Sequence, residues 1–322
     1  MTNLQTKFLT FHDSIKTDFE DNQLLRDKRD LIVDHLRNGL KRLLGTNTPT
    51  FNSFNQGSYD LKTGVNPLAG QDYDIDVGII FNFSKYYYKP VQVKEWVYHA
   101  LNTGVRTVII KRPCVRVQYH QNSSEWFHVD LAIYSQDKDY QSNEVNHIAK
   151  GLIGSSEDRK IWEISEPFRL RELLQQKFSD SSEREQFRRV IRYLKRWKDC
   201  NFLTGAGRPT GIALTACCYE LFVPKKDCVY NSYVYQIRYN DLQALLSVVK
   251  AIINIFTWNN KISVKLPVQP YNDLFEKMTD NQMASMKTKL ITLRDTLISA
   301  EQSPLGACAK LQKVFGSDFP EF

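Results

Sequence analysis

FNQGSYDLKTGVNPLAGQDYDIDVGIIF, residues 54–81, sets a Gly-Ser step and a polar loop ahead of Asp72, Asp74 and Asp76, then runs into Val77, Ile79, Ile80 and Phe81. Successive side chains of a strand point to opposite faces. Asp74 and Asp76 therefore share one face, while Ile75, Val77 and Ile79 form the other and can bury. Asp72 precedes the strand and reads as a loop residue beside Gln71 and Tyr73. Two like charges so placed raise each other's proton affinity and cost stability unless a cation sits between them. Oxygen-only ligation of this kind suits Mg²⁺, which takes its remaining ligands from water and substrate phosphates.

A second strand of the same design follows in FHVDLAIY, residues 127–134. Phe127, Val129, Leu131 and Ile133 form its apolar face, and His128 and Asp130 lie on the other. Laid beside the first strand, it adds Asp130 as a third carboxylate, with His128 near the site and not as a ligand. Three carboxylates can hold two metal ions roughly 3.5–4 Å apart, one activating an attacking hydroxyl and one binding a triphosphate. Phosphoryl or nucleotidyl transfer is the chemistry this predicts. A lone D-x-D is more often a turn or a solvated pair. Asp137 and Asp139 of SQDKDY have that form, since they follow a strand without an alternating apolar face.

Gly57 and Ser58 stand after the strand-like TFNSFNQ, where a tight turn aims backbone N–H groups and a hydroxyl at a phosphate. Farther along, EREQFRRVIRYLKRWKD places Phe187, Val190, Ile191, Leu194 and Trp197 on one helical face, with Arg188, Arg192 and Lys195 as a cationic strip beside it. The strip serves either as a clamp on a triphosphate or as a solvated basic face. GAGRPTGIALTACCYE then leads from a Gly/Pro turn through Thr210 as an N-cap into an apolar helix.

The chain has 322 residues, enough for two lobes that each bury a core. It shows no secretory leader and no run of roughly 20 apolar residues, so a cytoplasmic protein without a membrane span is expected. Its six cysteines include no C-x-x-C pair and read as reduced, buried thiols without a zinc site. A net charge of +7 suits a protein that handles phosphates.

Apolar spacing over residues 4–44 predicts one or two long helices, ending at Gly45. Residues 50–135 are β-rich, in the runs TFNSFN, DIDVGIIF, VRTVIIK, CVRVQYH and WFHVDLAIY, with a helix at 91–102. Beyond about 160 the chain turns mainly helical, with helices expected near 167–178, 182–200, 210–222, 239–257, 273–301 and 304–315. The expected architecture is α+β: a mixed-sheet core with N-terminal helices over 1–165 and a helical lobe over 166–322 that closes the cleft.

Gly-Ser, D-x-D entering an apolar strand, a third Asp in a later strand, Lys195 in Y-L-K-x-W and the run P-T-G-I-A-L come in an order spanning residues 50–215. In this the chain resembles the nucleotidyltransferases of polymerase-β type, and within them the CD-NTases, relatives of animal cyclic GMP-AMP synthase and oligoadenylate synthase. The resemblance implies that Asp74, Asp76 and Asp130 bind catalytic Mg²⁺, with Mn²⁺ as a substitute. It also implies that Gln56, Gly57, Ser58, Lys195 and Thr210 contact nucleotide. Cyclic di- or trinucleotides made from NTPs such as ATP and GTP would follow, activating a separate effector in CBASS anti-phage defence under the control of regulatory partner proteins. The zinc-binding insertion of the animal synthase has no counterpart here, and the serine-containing turn of the family reads Pro209-Thr210-Gly211.

Two other readings share some of these features. A terminal or poly(A)-type RNA nucleotidyltransferase has the same core but calls for a dense basic RNA-binding tract, whereas the basic residues here are dispersed. A non-catalytic nucleic-acid-binding protein would use the helix at 184–198 on a phosphate backbone, and its carboxylates would then face that backbone unneutralised.

Overall fold

The computed structural model describes residues 4–17, 22–104, 106–119, 127–202, 207–231 and 234–321. Two helices open it, α1 (Leu4–Ile15) and α2 (Gln23–Leu44). Asn22 caps α2, its side chain accepting from the Leu25 amide, and Gly45 ends the helix with a φ of 59°. Next come β1 (Phe51–Asn55), the single turn α3 (Gly57–Asp60), β2 (Tyr73–Phe81), α4 (Pro90–Leu101), β3 (Thr107–Ile110), β4 (Val115–Gln118) and β5 (Phe127–Lys138). β6 (Glu144–Lys150) and β7 (Ile161–Ile164) complete the main sheet. His120 and Trp126, which flank two of the expected strands, lie outside the described residues, as do Gly205 and Ala206.

The sheet runs β1-β2-β5-β4-β3, with β6 bridging β5 and β7. β5 is its long central member. Its whole first part pairs in parallel with β2, and its other edge is shared in turn by β4 and β6, both antiparallel. α2 and α4 cover one face, burying Ile32, Leu36, Val93 and Val97 against Ile75, Val77, Ile79, Val129, Leu131 and Ile133. The opposite face begins with the aspartates and becomes apolar farther along, where Ile80, Ala132, Tyr134 and Ile148 meet Phe54 and Phe168.

The rest of the chain is α5 (Pro167–Gln176), α6 (Ser181–Asn201), α7 (Gly211–Leu221), the hairpin β8 (Lys226–Asn231) and β9 (Val234–Tyr239), α8 (Asp241–Asn254), α9 (Asp280–Gln302) and α10 (Ala307–Phe315). These helices share a second core centred on Phe187, Val190, Leu194 and Trp197 of α6. Phe8, Phe11 and Ile15 of α1 join that core, so the first helix packs with the helical part and only α2 with the sheet. β6, β7 and the β8–β9 hairpin add to the elements expected from sequence. α9 starts at Asp280 and not near 273, because Thr279 and Gln282 form a reciprocal capping box there.

Gly39 of α2 lies so close to α4 that a methyl group on it would stand 2.3 Å from the Ala100 carbonyl oxygen. Gly39→Ala is expected to cost ~1–3 kcal/mol, as overpacking of a tight contact does. Urea unfolding should show a lower midpoint at unchanged slope, and an unshifted midpoint would mean that the helices do not meet at this point.

Candidate active site

The parallel pairing of β2 with β5 sets Asp76 directly opposite Asp130 and Asp74 opposite His128. The antiparallel pairing of β4 with β5 sets Arg116 opposite Asp130 on the other side. Because Val115 and Val117 are buried, Arg116 faces the aspartates. Its Nε and one terminal nitrogen donate to the two Asp130 oxygens, each at 2.6 Å, and that same nitrogen reaches Asp74 Oδ1 at 3.1 Å. His128 adds its Nε2 at 3.1 Å from Asp72 Oδ2, with Gln118 Nε2 at 2.9 Å from the same ring nitrogen. Asp72 is thus part of the site, although its place before the strand marks it as a loop residue.

Burial raises the proton affinity of Asp76, the neighbouring Asp130 and Asp74 raise it further, and Arg116 and Lys195 only partly offset this, leaving its pKa at about 7. Facing it is the Gly57 turn. Gly57 has a φ of +66°, and a Cβ there would stand 2.0 Å from Asp76 Oδ2, so both the backbone and the space require glycine. The Gln56 amide donates to the Asp76 carbonyl at 3.0 Å, which fixes the turn to β2.

The basic face of α6 is neither solvated nor simply open to the cleft. Arg192 donates to the carbonyls of Gly64 and Lys62 at 3.1 and 2.7 Å, and Arg196 to that of Asn66 at 2.8 Å. Lys195 Nζ donates to the Thr63 carbonyl and hydroxyl at 2.9 and 2.8 Å. α6 therefore grips the loop 62–66 that follows the Gly57-Ser58 turn. Burial, with Lys198 and Arg192 nearby, lowers the pKa of Lys195 to about 7. Arg188 pairs with Glu185 on the exposed side. Asp137, expected to be solvated, is instead largely buried and 3.2 Å from His147 Nδ1, whereas Asp139 caps a turn by accepting from the Gln141 and Asn143 amides.

A cavity of about 910 Å³ lies between the sheet and α6–α7. Gln56, Gly57, Ser58, Asp74, Asp76, Lys195 and Thr210 all line it, and Asp130 reaches it only through Arg116. Thr210 is also the N-cap of α7, accepting from the Ala213 amide at 3.2 Å. Lining residues that the sequence did not single out include Arg116, Lys198 and Arg208, and Asp72, set aside there as a loop residue, also lines the cavity. The alternation in C-V-R-V-Q was the signal for Arg116, since a strand that buries Val115 and Val117 must present the arginine on the far face.

These residues fit a divalent cation of the Mg²⁺ kind in donor chemistry: oxygens only, from carboxylates on adjacent strands, around an Asp76 whose raised proton affinity marks uncompensated negative charge. One feature opposes it. Arg116 takes both oxygens of Asp130, and among the described residues no three carboxylate, His or Cys side chains stand gathered as a metal-holding group.

A mixed sheet thus carries the paired carboxylates opposite a Gly-Ser turn, with helices across the cavity. Residues 50–134 match the family model "Cyclic GMP-AMP synthase DncV-like, nucleotidyltransferase domain". Along nearly its whole length the chain is similar in structure to the Vibrio cholerae DncV cyclic AMP-GMP synthase, with a TM-score of 0.73 at 17% identity over 98% of this chain and 97% of the other. It is also similar to the Bradyrhizobium diazoefficiens CD-NTase CdnG in complex with GTP, at 0.70 and 13% over 98% and 96%. Escherichia coli DncV in its 3'-deoxy GTP-bound form gives 0.70 and 15% over 96% and 94%. No curated protein matches the chain in sequence. Residues 50–134 thus match a DncV-like nucleotidyltransferase domain, the chain as a whole shares the fold of these solved structures, and the protein is a nucleotidyltransferase.

The folded Asp76 carboxyl keeps its proton to about pH 7, whereas its ordinary value is 3.8. The folded state thus binds more protons in that window, and stability falls as the pH rises through it. Asp76→Asn removes the penalty, so without added metal the variant should gain little on the wild type at pH 4, progressively more up to pH 7, and a constant amount above. Thermal unfolding across that range checks this, and a gain independent of pH would contradict it.

Proposed function

We propose that the protein joins nucleoside triphosphates, ATP and GTP among them, and closes the product into a cyclic di- or trinucleotide with release of pyrophosphate. The observation that carries this reading is Asp76, register partner of Asp130, on the same cavity wall as the Gly57-Ser58 turn and across the cavity from Lys195 of α6. Asp74, Asp76 and Asp130 would hold Mg²⁺, or Mn²⁺ in its place. The bound ions would supply charge neutralisation for the triphosphate and a lowered pKa for the acceptor hydroxyl.

The protein's own groups do the rest. Gly57 and Ser58 seat the donor phosphates on the sheet side, with Gln56 beside them. Lys195, Lys198 and Arg208 meet them from the helical side. Lys195, held by Thr63, regains its proton as a polyanion approaches. Asp130, set opposite Asp76 by the strand pairing, would help hold the ion that lowers the pKa of the acceptor hydroxyl. The hydroxyl oxygen attacks the α-phosphorus, a new phosphoester bond forms, the bond to the β-phosphate oxygen breaks, and its electron pair leaves with pyrophosphate. The apolar stretch of Ile148, Leu170, Ile212 and Val268 along the same cavity gives a base a surface to lie against. Thr210, already engaged as a cap, contributes at most one further lone pair.

The same reading assigns the product a signalling role in anti-phage defence, acting in the cytoplasm on a separate effector and under the control of partner proteins. Among the described residues no helix is long and apolar enough to cross a membrane.

Incubation with Mg²⁺ and all four NTPs, phosphatase treatment and mass spectrometry should reveal phosphatase-resistant cyclic products. Asp74→Asn combined with Asp76→Asn should abolish them. Linear tails in their place would favour the terminal-transferase reading, and activity retained in the double variant would sink the assignment of the site.

A further inference from the structure

Arg116 is in direct contact with the carboxylates, and its geometry is unusually committed. It forks onto both oxygens of Asp130 at 2.6 Å, touches Asp74 Oδ1 at 3.1 Å, and stands 3.3 Å from His128 Nδ1. The side chains of Arg116 and Asp130 are 17% and 15% exposed, so water screens this pair weakly. Strand register enforces the contact, because Arg116 and Asp130 are cross-strand partners on β4 and β5, just as Asp76 and Asp130 are on β2 and β5. Asp130 thus has an acidic neighbour on one side and a basic one on the other.

A bidentate fork takes one lone pair from each carboxylate oxygen and directs positive charge along the carboxylate plane. A divalent cation on the same oxygens would need those directions and would be repelled by the adjacent guanidinium. We propose that Arg116 is a positioning residue that serves as an internal counter-cation. It holds Asp130 oriented in the metal-free protein, and it must release at least one Asp130 oxygen before a divalent cation can be held there. Guanidinium and metal exchange at one carboxylate. The released fork turns toward Asp74 and His128, which it already touches, and so toward the cavity.

This rests on the reading of Asp74, Asp76 and Asp130 as metal-binding, and the test separates the two. Mn²⁺ is titrated into the nucleotide-free wild type, Arg116→Gln, Arg116→Lys and Asp76→Asn, with free Mn²⁺ followed by electron paramagnetic resonance. Thermal unfolding is followed in parallel with and without Mn²⁺. Arg116→Gln is expected to bind Mn²⁺ at least tenfold more tightly than the wild type. Metal-free, it should unfold at a lower temperature, and it should gain more from Mn²⁺. Arg116→Lys, a cation without the fork, should fall between the two. Equal or weaker Mn²⁺ binding by Arg116→Gln, with Asp76→Asn impaired, would overturn the exchange while leaving the metal reading standing. Absence of site-specific Mn²⁺ binding in the wild type and both Arg116 variants would overturn both.

Discussion

The parallel pairing of β2 with β5 is the contact on which the other features of the site depend. It brings two acidic strands, far apart in sequence, into a register that opposes Asp76 to Asp130. One apolar face on each strand makes this possible, since Ile75, Val77, Val129 and Leu131 are locked under α2 and α4. A slip of one residue would turn the aspartates into that core and the isoleucines out of it. Packing on one side of the sheet thereby holds like charges together on the other, against their repulsion.

Around that pair the protein assembles its positive charge in two layers. Arg116 comes from the sheet itself and touches the carboxylates. Lys195, Arg192 and Arg196 come from α6 and touch backbone carbonyls of the loop 62–66. The loop is a seam of polar contacts between the two cores: one end continues from the Gly57-Ser58 turn, and the middle is gripped by the helix. α1 strengthens the link from behind, with Phe8 and Phe11 packed around Tyr193 of α6 and Asn66 bonded to the carbonyls of Ser14 and Lys16.

The carboxylate faces were legible in the sequence because strand alternation is a local property: Asp74, Asp76 and Asp130 each sit between residues that must be buried. Their pairing partner was not, since register between segments 50 residues apart leaves no local trace. β6 escaped notice because the run Glu144–Lys150 hides Asn146 and His147 among its buried residues and so does not alternate. The basic helix misled for a related reason. Composition distinguishes cations from apolar residues but not an arginine in water from one bonded to carbonyls more than 120 positions away, as Arg192 and Arg196 are. Arg116 lay within reach of pattern reasoning, yet attention to acidic residues alone passes over the basic residue placed among them.

One consequence concerns the protons of the cavity. Asp76 and Lys195 both change charge near pH 7, the first because burial and its acidic neighbours raise its pKa and the second because burial lowers its pKa. Near neutrality each group therefore carries its charge only part of the time. On the proposed reading, a cation beside Asp76 drives off the protons that remain there, and a polyphosphate beside Lys195 draws protons onto the amine. Filling the site would then complete both charges with little net exchange of protons with the solvent near pH 7, so its occupancy would be buffered against small drifts in cellular pH.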